Sequence, residues 1–177
     1  MSHFLTTQAD EVKAAIQKGR VLLGIACYVV AWKGQPDAHP NIFIPFLRLY
    51  NQSTDDYLYT TSQAEADNAA RYGYVFETIA CNVMDPNSPL PTGASSPQGT
   101  VPLLRGFNPQ TSEHFYTTQA GIFSQHPEFQ REGTSGFVFD PHYGPVPGWD
   151  TSTPFYRLSR IGATPPSLIP WWNRELP

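Results

Sequence analysis

Short runs of alternating apolar and polar residues punctuate the chain, separated by stretches rich in Asn, Asp, Ser, Gly and Pro. Phe46 to Asn51 alternates in this way and predicts a β-strand. Asn51-Gln52-Ser53-Thr54-Asp55-Asp56 predicts a turn, because Asn, Ser and Asp side chains hydrogen-bond nearby backbone. Tyr57 to Thr61 is then the returning strand of a hairpin. The pattern next changes to that of a helix. Thr61 or Ser62 can cap it, Glu65 falls near the first turn, and Ala64 to Arg71 are good helix formers ended by Gly73. Tyr74 to Met84 predicts one or two further strands. The same order is read near the start, where Thr7 or Gln8 begins a helix that Gly19 ends. Pro127 predicts a short or broken helix in the third occurrence.

These occurrences are copies of one another. Residues 3–31 overlay residues 57–85 without a gap, and Thr6, Thr7, Glu11, Gly19, Ala26 and Cys27 meet Thr60, Thr61, Glu65, Gly73, Ala80 and Cys81. His114-Phe115-Tyr116-Thr117-Thr118 opens a third copy. Pro45-Phe46-Leu47-Arg48 aligns with Pro102-Leu103-Leu104-Arg105, and the block missing before residue 3 reappears as Pro154-Phe155-Tyr156-Arg157. A period of about 50–60 residues indicates a repeat architecture whose units bury a core only together. The split block implies that the last strand completes the first unit. The expected fold is therefore mainly β with short helices. It is a closed pseudo-threefold ring of α+β repeats, small, three-bladed and propeller-like, with a β-trefoil as the alternative. Its units are 3–45 plus 154–160, 46–101 and 102–153, followed by a Pro/Trp-rich tail, 161–177. Ile25-Ala26-Cys27 and Ile79-Ala80-Cys81 are the expected central strands, with Thr134-Ser135-Gly136 in the third copy.

Composition narrows the function classes. The 177 residues are 40% hydrophobic and 14% aromatic, with 18 Pro and 13 Gly, which suits one loop-rich β domain. A net charge of -4 without Lys/Arg clusters argues against nucleic acid. Val21 to Trp32 is too short to span a bilayer and lies too late for a signal peptide. The expectation is a protein without membrane insertion that is cytoplasmic, or exported without a classical signal. Cys27 and Cys81 share one repeat position and read as buried reduced thiols, with a disulfide as the alternative. No Cys/His spacing suits a metal, and no cofactor motif occurs.

The candidate chemistry lies in the repeats. Arg48, Arg105 and Arg157 recur once per unit and either pin the units together or reach a ligand hydroxyl or carboxylate. The turn residues Asn51, Asp56 and Tyr57 have counterparts in Asn108, Glu113 and His114. Carboxylates and amides beside aromatic rings suit a shallow sugar site, since they pair with hydroxyls while the ring takes the apolar sugar face. Closing the hairpin is the alternative role. Tyr59, Tyr116 and His3 complete the candidate ligand-binding set. His39, His126 and His142 are scattered, and no catalytic motif singles out a residue. Trp149, Trp171 and Trp172 lie in Pro-rich segments suited to covering an apolar end or to dimer contact.

Arg48-Leu49-Tyr50-Asn51, Tyr57-Leu58-Tyr59-Thr60-Thr61, Glu65 and Gly73-Tyr74-Val75-Phe76-Glu77 together resemble a repeat family of bacterial cell-surface and secreted hydrolases and of fungal proteins, a domain of unknown function. His114-Phe115-Tyr116-Thr117-Thr118 matches it too. Tyr57 departs from the family's usual His, and the third copy lacks Gly-Tyr. The resemblance implies an accessory module that binds glycans or cell walls, and in free-standing form it is similar to a cytoplasmic mushroom-type lectin. The resulting expectation is a non-enzymatic, multivalent carbohydrate-binding protein whose partners are glycans or glycoproteins, with homo-oligomerisation possible. A protein-interaction or inhibitor module is the alternative, and a glycoside hydrolase a more distant one.

Overall fold

The structure, a computed structural model, describes residues 2–33, 42–87, 99–140 and 153–160. The tail, with Trp171 and Trp172, and also Trp149, His39 and His142, lie outside the described residues. The element order is β1 (His3–Thr6), α1 (Ala9–Gln17), β2 (Arg20–Val29), β3 (Phe43–Asn51), β4 (Asp56–Thr60), α2 (Gln63–Ala69), a 3-10 turn (Ala70–Tyr72), β5 (Val75–Met84), β6 (Thr100–Asn108), β7 (Glu113–Thr117), α3 (Ile122–Gln125), β8 (Gln130–Phe139) and β9 (Thr153–Arg160). It is a mainly β fold with a few short helices.

The strands group into antiparallel threes. β3 lies between β4 and β5, pairing Leu49 with Leu58 and Phe46 with Cys81. β6 lies between β7 and β8, pairing Gly106 with Phe115 and Pro102 with Phe137. β9 lies between β1 and β2, pairing Leu158 with both Phe4 and Leu22. The last described strand thus sits inside the sheet that the first residues begin. Each middle strand meets its long neighbour through two register shifts. Such bulges bend the strand and increase its twist. We call these groups, each with its helix, the first (β1, α1, β2, β9), second (β3, β4, α2, β5) and third (β6, β7, α3, β8) units.

Local chemistry accounts for the helices. Ser62 Oγ accepts the Glu65 amide at 3.2 Å and caps α2, and Gly73 ends the following turn at φ 88. α1 starts at Gln8 without a side-chain cap. Thr6 Oγ1 instead receives the Gln8 amide and donates to Glu11, tying strand end to helix start. α3 is a single turn, as Pro127 forecasts.

One expectation needs correction. The sheet is not closed: among the described residues β1, β4 and β7 each have one strand partner and remain edges. The units meet through single residue pairs at the ends of the long strands, Tyr28 with Phe139, Met84 with Phe137 and Val30 with Asn82. The expected central segments do reach the core, where Ala26, Cys27, Ala80 and Cys81 are buried and both cysteines are free thiols, while Val21, Leu22, Val75 and Phe76 near the starts of the long strands are exposed. The Thr-Thr strands are the most enclosed, every residue of β1 and β7 being buried. Small residues do sit where crowding is greatest: a side chain at Gly136 would collide with Val83.

Tyrosine hydroxyls satisfy the buried edges. Tyr59 Oη accepts the Leu5 amide and donates to the Leu5 carbonyl, each at 2.8 Å. Tyr116 Oη treats the Tyr59 backbone in the same way, at 2.7 and 2.9 Å. The third tyrosine position holds Leu5, and there Arg157 Nη2 donates to the Tyr116 carbonyl at 2.5 Å. One apolar cluster surrounds these contacts and draws Leu5, Cys27, Phe46, Tyr59, Leu103, Tyr116 and Phe155 from all three units. Each large apolar side chain buried there contributes about 1.5–3 kcal/mol. Tyr59→Phe keeps the ring but leaves a buried amide and carbonyl of Leu5 unsatisfied. It should cost about 2–4 kcal/mol in urea denaturation, with each orphaned group carrying its desolvation penalty.

Candidate functional site

The predicted ligand residues are mostly engaged between units. Arg48 donates to both oxygens of Glu11, at 2.9 and 2.7 Å, and through Nε to Glu77 at 2.9 Å. Arg105 repeats this with Glu65, at 3.0 and 2.6 Å, and Glu132 at 2.7 Å. A guanidinium fork matched to a carboxylate is a strong, directional pair. Arg157 is buried under the Phe115 ring, and burial pulls it down to about 10. The glutamates have no counterpart there, since Ile122 and Leu23 occupy their repeat positions. Tyr59 and Tyr116 are the clamps described above. Tyr57 packs on Tyr50 and Phe4 with the Arg20 guanidinium over its ring.

The turn residues also make structural contacts. Asn51 Oδ1 accepts the Ser53 amide, Asn108 Oδ1 accepts the Gln110 amide, and Asn51 Nδ2 donates to the Tyr72 carbonyl at 2.9 Å. Asp56, 1% exposed, accepts the His114 amide at 2.8 Å, His114 Nδ1 at 2.6 Å and Tyr74 Oη at 2.6 Å. Glu113 meets His3 Nδ1 at 2.9 Å. The Asp56 and Glu113 contacts are one motif used twice: the residue before a Thr-Thr strand faces the His that opens the equivalent strand of another unit.

Where the second and third units meet, these contacts border a cleft of about 510 Å³. Leu58 and Ala69 belong to the small core under α2, which fixes the helix and places Asn68 at the rim. Asn51 pins the 3-10 turn and so holds the backbone of Tyr72, whose side chain is 71% exposed. Tyr74, Phe107 and His114 supply further rings, Phe107 lying 4.8 Å from His114 between centroids. Thr54, Ser112, Glu65 and Glu132 add polar groups. Glu132 Oε2 is 3.9 Å from His114 Nε2. A smaller crevice of about 160 Å³, lined by Thr60, Thr61, Ser62, Thr134 and Ser135, shares Glu65 and Glu132 and also touches Arg105. Burial alone would raise the Glu65 carboxyl, but the Arg105 fork holds it below the usual value. Burial beside Asp56 pushes the Tyr74 hydroxyl well up, so it stays a donor.

A family model described as "Domain of unknown function (DUF5648)" matches residues 1–139 and, in a second placement, 90–165. The chain belongs to that family. No curated protein and no solved structure matches it. The DUF5648 description assigns no activity. Among the described residues, no group of three or more His, Cys, Asp and Glu side chains could hold a metal ion, and no helix is long and apolar enough to cross a membrane.

Within this DUF5648 chain the cleft is not reproduced at the junction of the first and second units. Arg20 stands at the repeat position of Tyr74, donates to Ser2 and to Asp55, and lies over Tyr57. Arg160 also pairs with Asp55, at 3.0 Å. Cations and aromatic rings thus fill the equivalent space. Of the cleft's residues, Tyr72, Asn68, Phe107 and Glu132 escape sequence reasoning. Glu65 and Ser112 are visible there only as a helix cap and a turn residue. Tyr72 carries one local signal, an aromatic residue directly before the glycine that stops the helix.

The His3–Glu113 pair carries a pH signature. Burial, aided by Arg157 and Arg20, pulls His3 from 6.5 to about 3. Burial also pushes Glu113 from 4.5 to about 8. Between 4.5 and 6.5 the pair holds one proton whether folded or unfolded. Below 4.5 the unfolded pair gains a proton that the folded pair refuses, so acid destabilises. Above 6.5 the unfolded pair loses the proton that the folded pair keeps to about 8, so stability falls again. Urea midpoints across this range should show a mildly acidic maximum, and Glu113→Gln should abolish the alkaline fall.

Proposed function

We propose that this chain is a non-enzymatic carbohydrate-binding protein, built as three α+β modules in a propeller-like pseudo-threefold arrangement, and that its saccharide site is the cleft between the second and third units. The observation that carries the reading is the wall of that cleft. Tyr72 presents a largely exposed ring beside Tyr74, Phe107 and His114, with Asn68, Thr54, Ser112 and two glutamates around them. A sugar ring stacks its apolar face on an aromatic side chain and turns its hydroxyls to amide and carboxylate groups, which is what this lining offers. The cleft's size is that of a small-molecule site. The partners are then glycans or glycoproteins. Multivalence would come from association of copies more than from three equal sites, because Arg20 and Arg160 occupy the corresponding space at the first junction.

The arrangement favours binding over hydrolysis. A glycosidase needs a carboxylic acid with a raised proton affinity. Glu65 is held in the opposite direction by Arg105. A protein-interaction module is the second reading, supported by Val75 and Phe76, which are 68% and 54% exposed next to Tyr72.

A glycan array followed by titration calorimetry tests the two readings. Saccharide binding should weaken about five- to tenfold in Tyr72→Ala, the loss of one aromatic stacking contact. It should be unchanged in Val75→Ser. Absence of binding to every glycan, in monomeric and clustered formats, overturns the saccharide reading.

A further inference from the structure

Charge in the cleft goes further and specifies the class of sugar. Two carboxylates of the lining, Glu65 and Glu132, flank one guanidinium, Arg105, and a third, Asp56, lies behind His114. That guanidinium is already engaged: Nε, Nη1 and Nη2 each donate to a glutamate within 3.0 Å. Among the described residues, neither arginine nor lysine lines the cleft itself. Arg71 and Arg131 neighbour Tyr72 and Glu132 in sequence but are not among the lining residues. Both contacts of Glu132, to Arg105 and His114, involve Oε2, which leaves Oε1 as an acceptor, and its side chain is 33% exposed. An acidic sugar would have to break the Arg105 fork to find a guanidinium, would meet a His114 ring already facing Asp56 and Glu132, and would bring its charge against carboxylates. A cationic group meets the reverse situation, since a cleft walled by one sign of charge concentrates the opposite sign.

We infer that the cleft prefers an amino sugar carrying a protonated amine, accepts its neutral N-acetylated counterpart more weakly, and rejects uronic and other acidic sugars. The inference rests on the saccharide reading above. The ammonium sits against Glu132 with the sugar ring on Tyr72, so the two residues have separable effects. Glu132 sets the charge preference, and Tyr72 supports every sugar alike.

The test uses matched sets of gluco- and galacto-configured sugars in amino, N-acetyl and uronic forms, measured by calorimetry in mildly acidic buffer at low and high salt. Amino forms should bind about two- to fivefold more tightly than N-acetyl forms, the gain of one partly exposed ion pair. That margin should disappear in Glu132→Gln and at high salt, while N-acetyl binding is retained. Glutamine keeps an oxygen to accept from Arg105. Should Glu132→Gln fail to fold, Glu65→Gln removes a charge from the same cluster and should also narrow the margin. Uronic forms binding as tightly as N-acetyl forms, or an amino preference that survives both variants, overturns the inference and leaves the saccharide reading standing. Failure of all three forms to bind overturns the inference, and failure of the whole glycan array as well overturns the saccharide reading.

Discussion

The architecture depends on how three buried strand edges are satisfied without adding strands. β1, β4 and β7 each have a strand on one side only, yet they are the most enclosed strands of the chain. Unsatisfied backbone groups in such a position would each cost about 1–3 kcal/mol. A tyrosine hydroxyl answers an amide and a carbonyl at once, because it both donates and accepts. Tyr59 and Tyr116 do this for two junctions, and Arg157, a donor only, reaches a carbonyl at the third. The units therefore come together largely through side chains, with few backbone pairs between them, and their rings complete the core that no unit could bury by itself.

The outer contacts follow the same order around the molecule. Arg48 and Arg105 each grip a glutamate on the helix of the preceding unit and another on their own long strand. His3 and His114 meet the acidic residue that begins another unit's Thr-Thr strand. Where a repeat position has changed, the junction is repaired by a different chemistry. Arg20 substitutes for a tyrosine and joins Ser2, Asp55 and Tyr57. These substitutions distinguish one junction from another and leave an open, aromatic-walled cleft between the second and third units, lined by no arginine or lysine among the described residues.

Under the proposed saccharide reading, recognition and cohesion fall largely to different residues. Residues that recur in every unit tend to be engaged in holding units together, so their repetition reflects a repeated junction. Tyr72 and Asn68, both exposed, differ from their first-unit counterparts Lys18 and Ala14, whereas Glu132 keeps the glutamate of its counterpart Glu77 and only its second oxygen faces the cleft's lining without a partner among the described residues. The Asn51 side chain illustrates the link: its amide holds the Tyr72 carbonyl, and the Tyr72 ring is thereby presented at the cleft's edge.

Much of the fold was legible in the chain itself. Alternation and turn residues marked the hairpins, Ser62 and Gly73 bounded a helix, Pro127 shortened another, and the displaced Pro154–Leu158 block announced that a late strand would lie beside His3–Thr6. All of these are local or copy-to-copy relations, which a one-dimensional pattern preserves. The candidate site was less legible. Arginines, asparagines and tyrosines that suit a sugar also suit a buried junction, and only the distances to Glu11, Glu65 and Leu5 decide between those uses. The open sheet, the exposed beginnings of β2 and β5, and the cleft that brings Tyr72 of one unit beside Phe107 of another arise from packing between distant segments. Burial and hydrogen-bond partnership are properties of the assembled chain, so no residue carries them before tertiary contact assigns them.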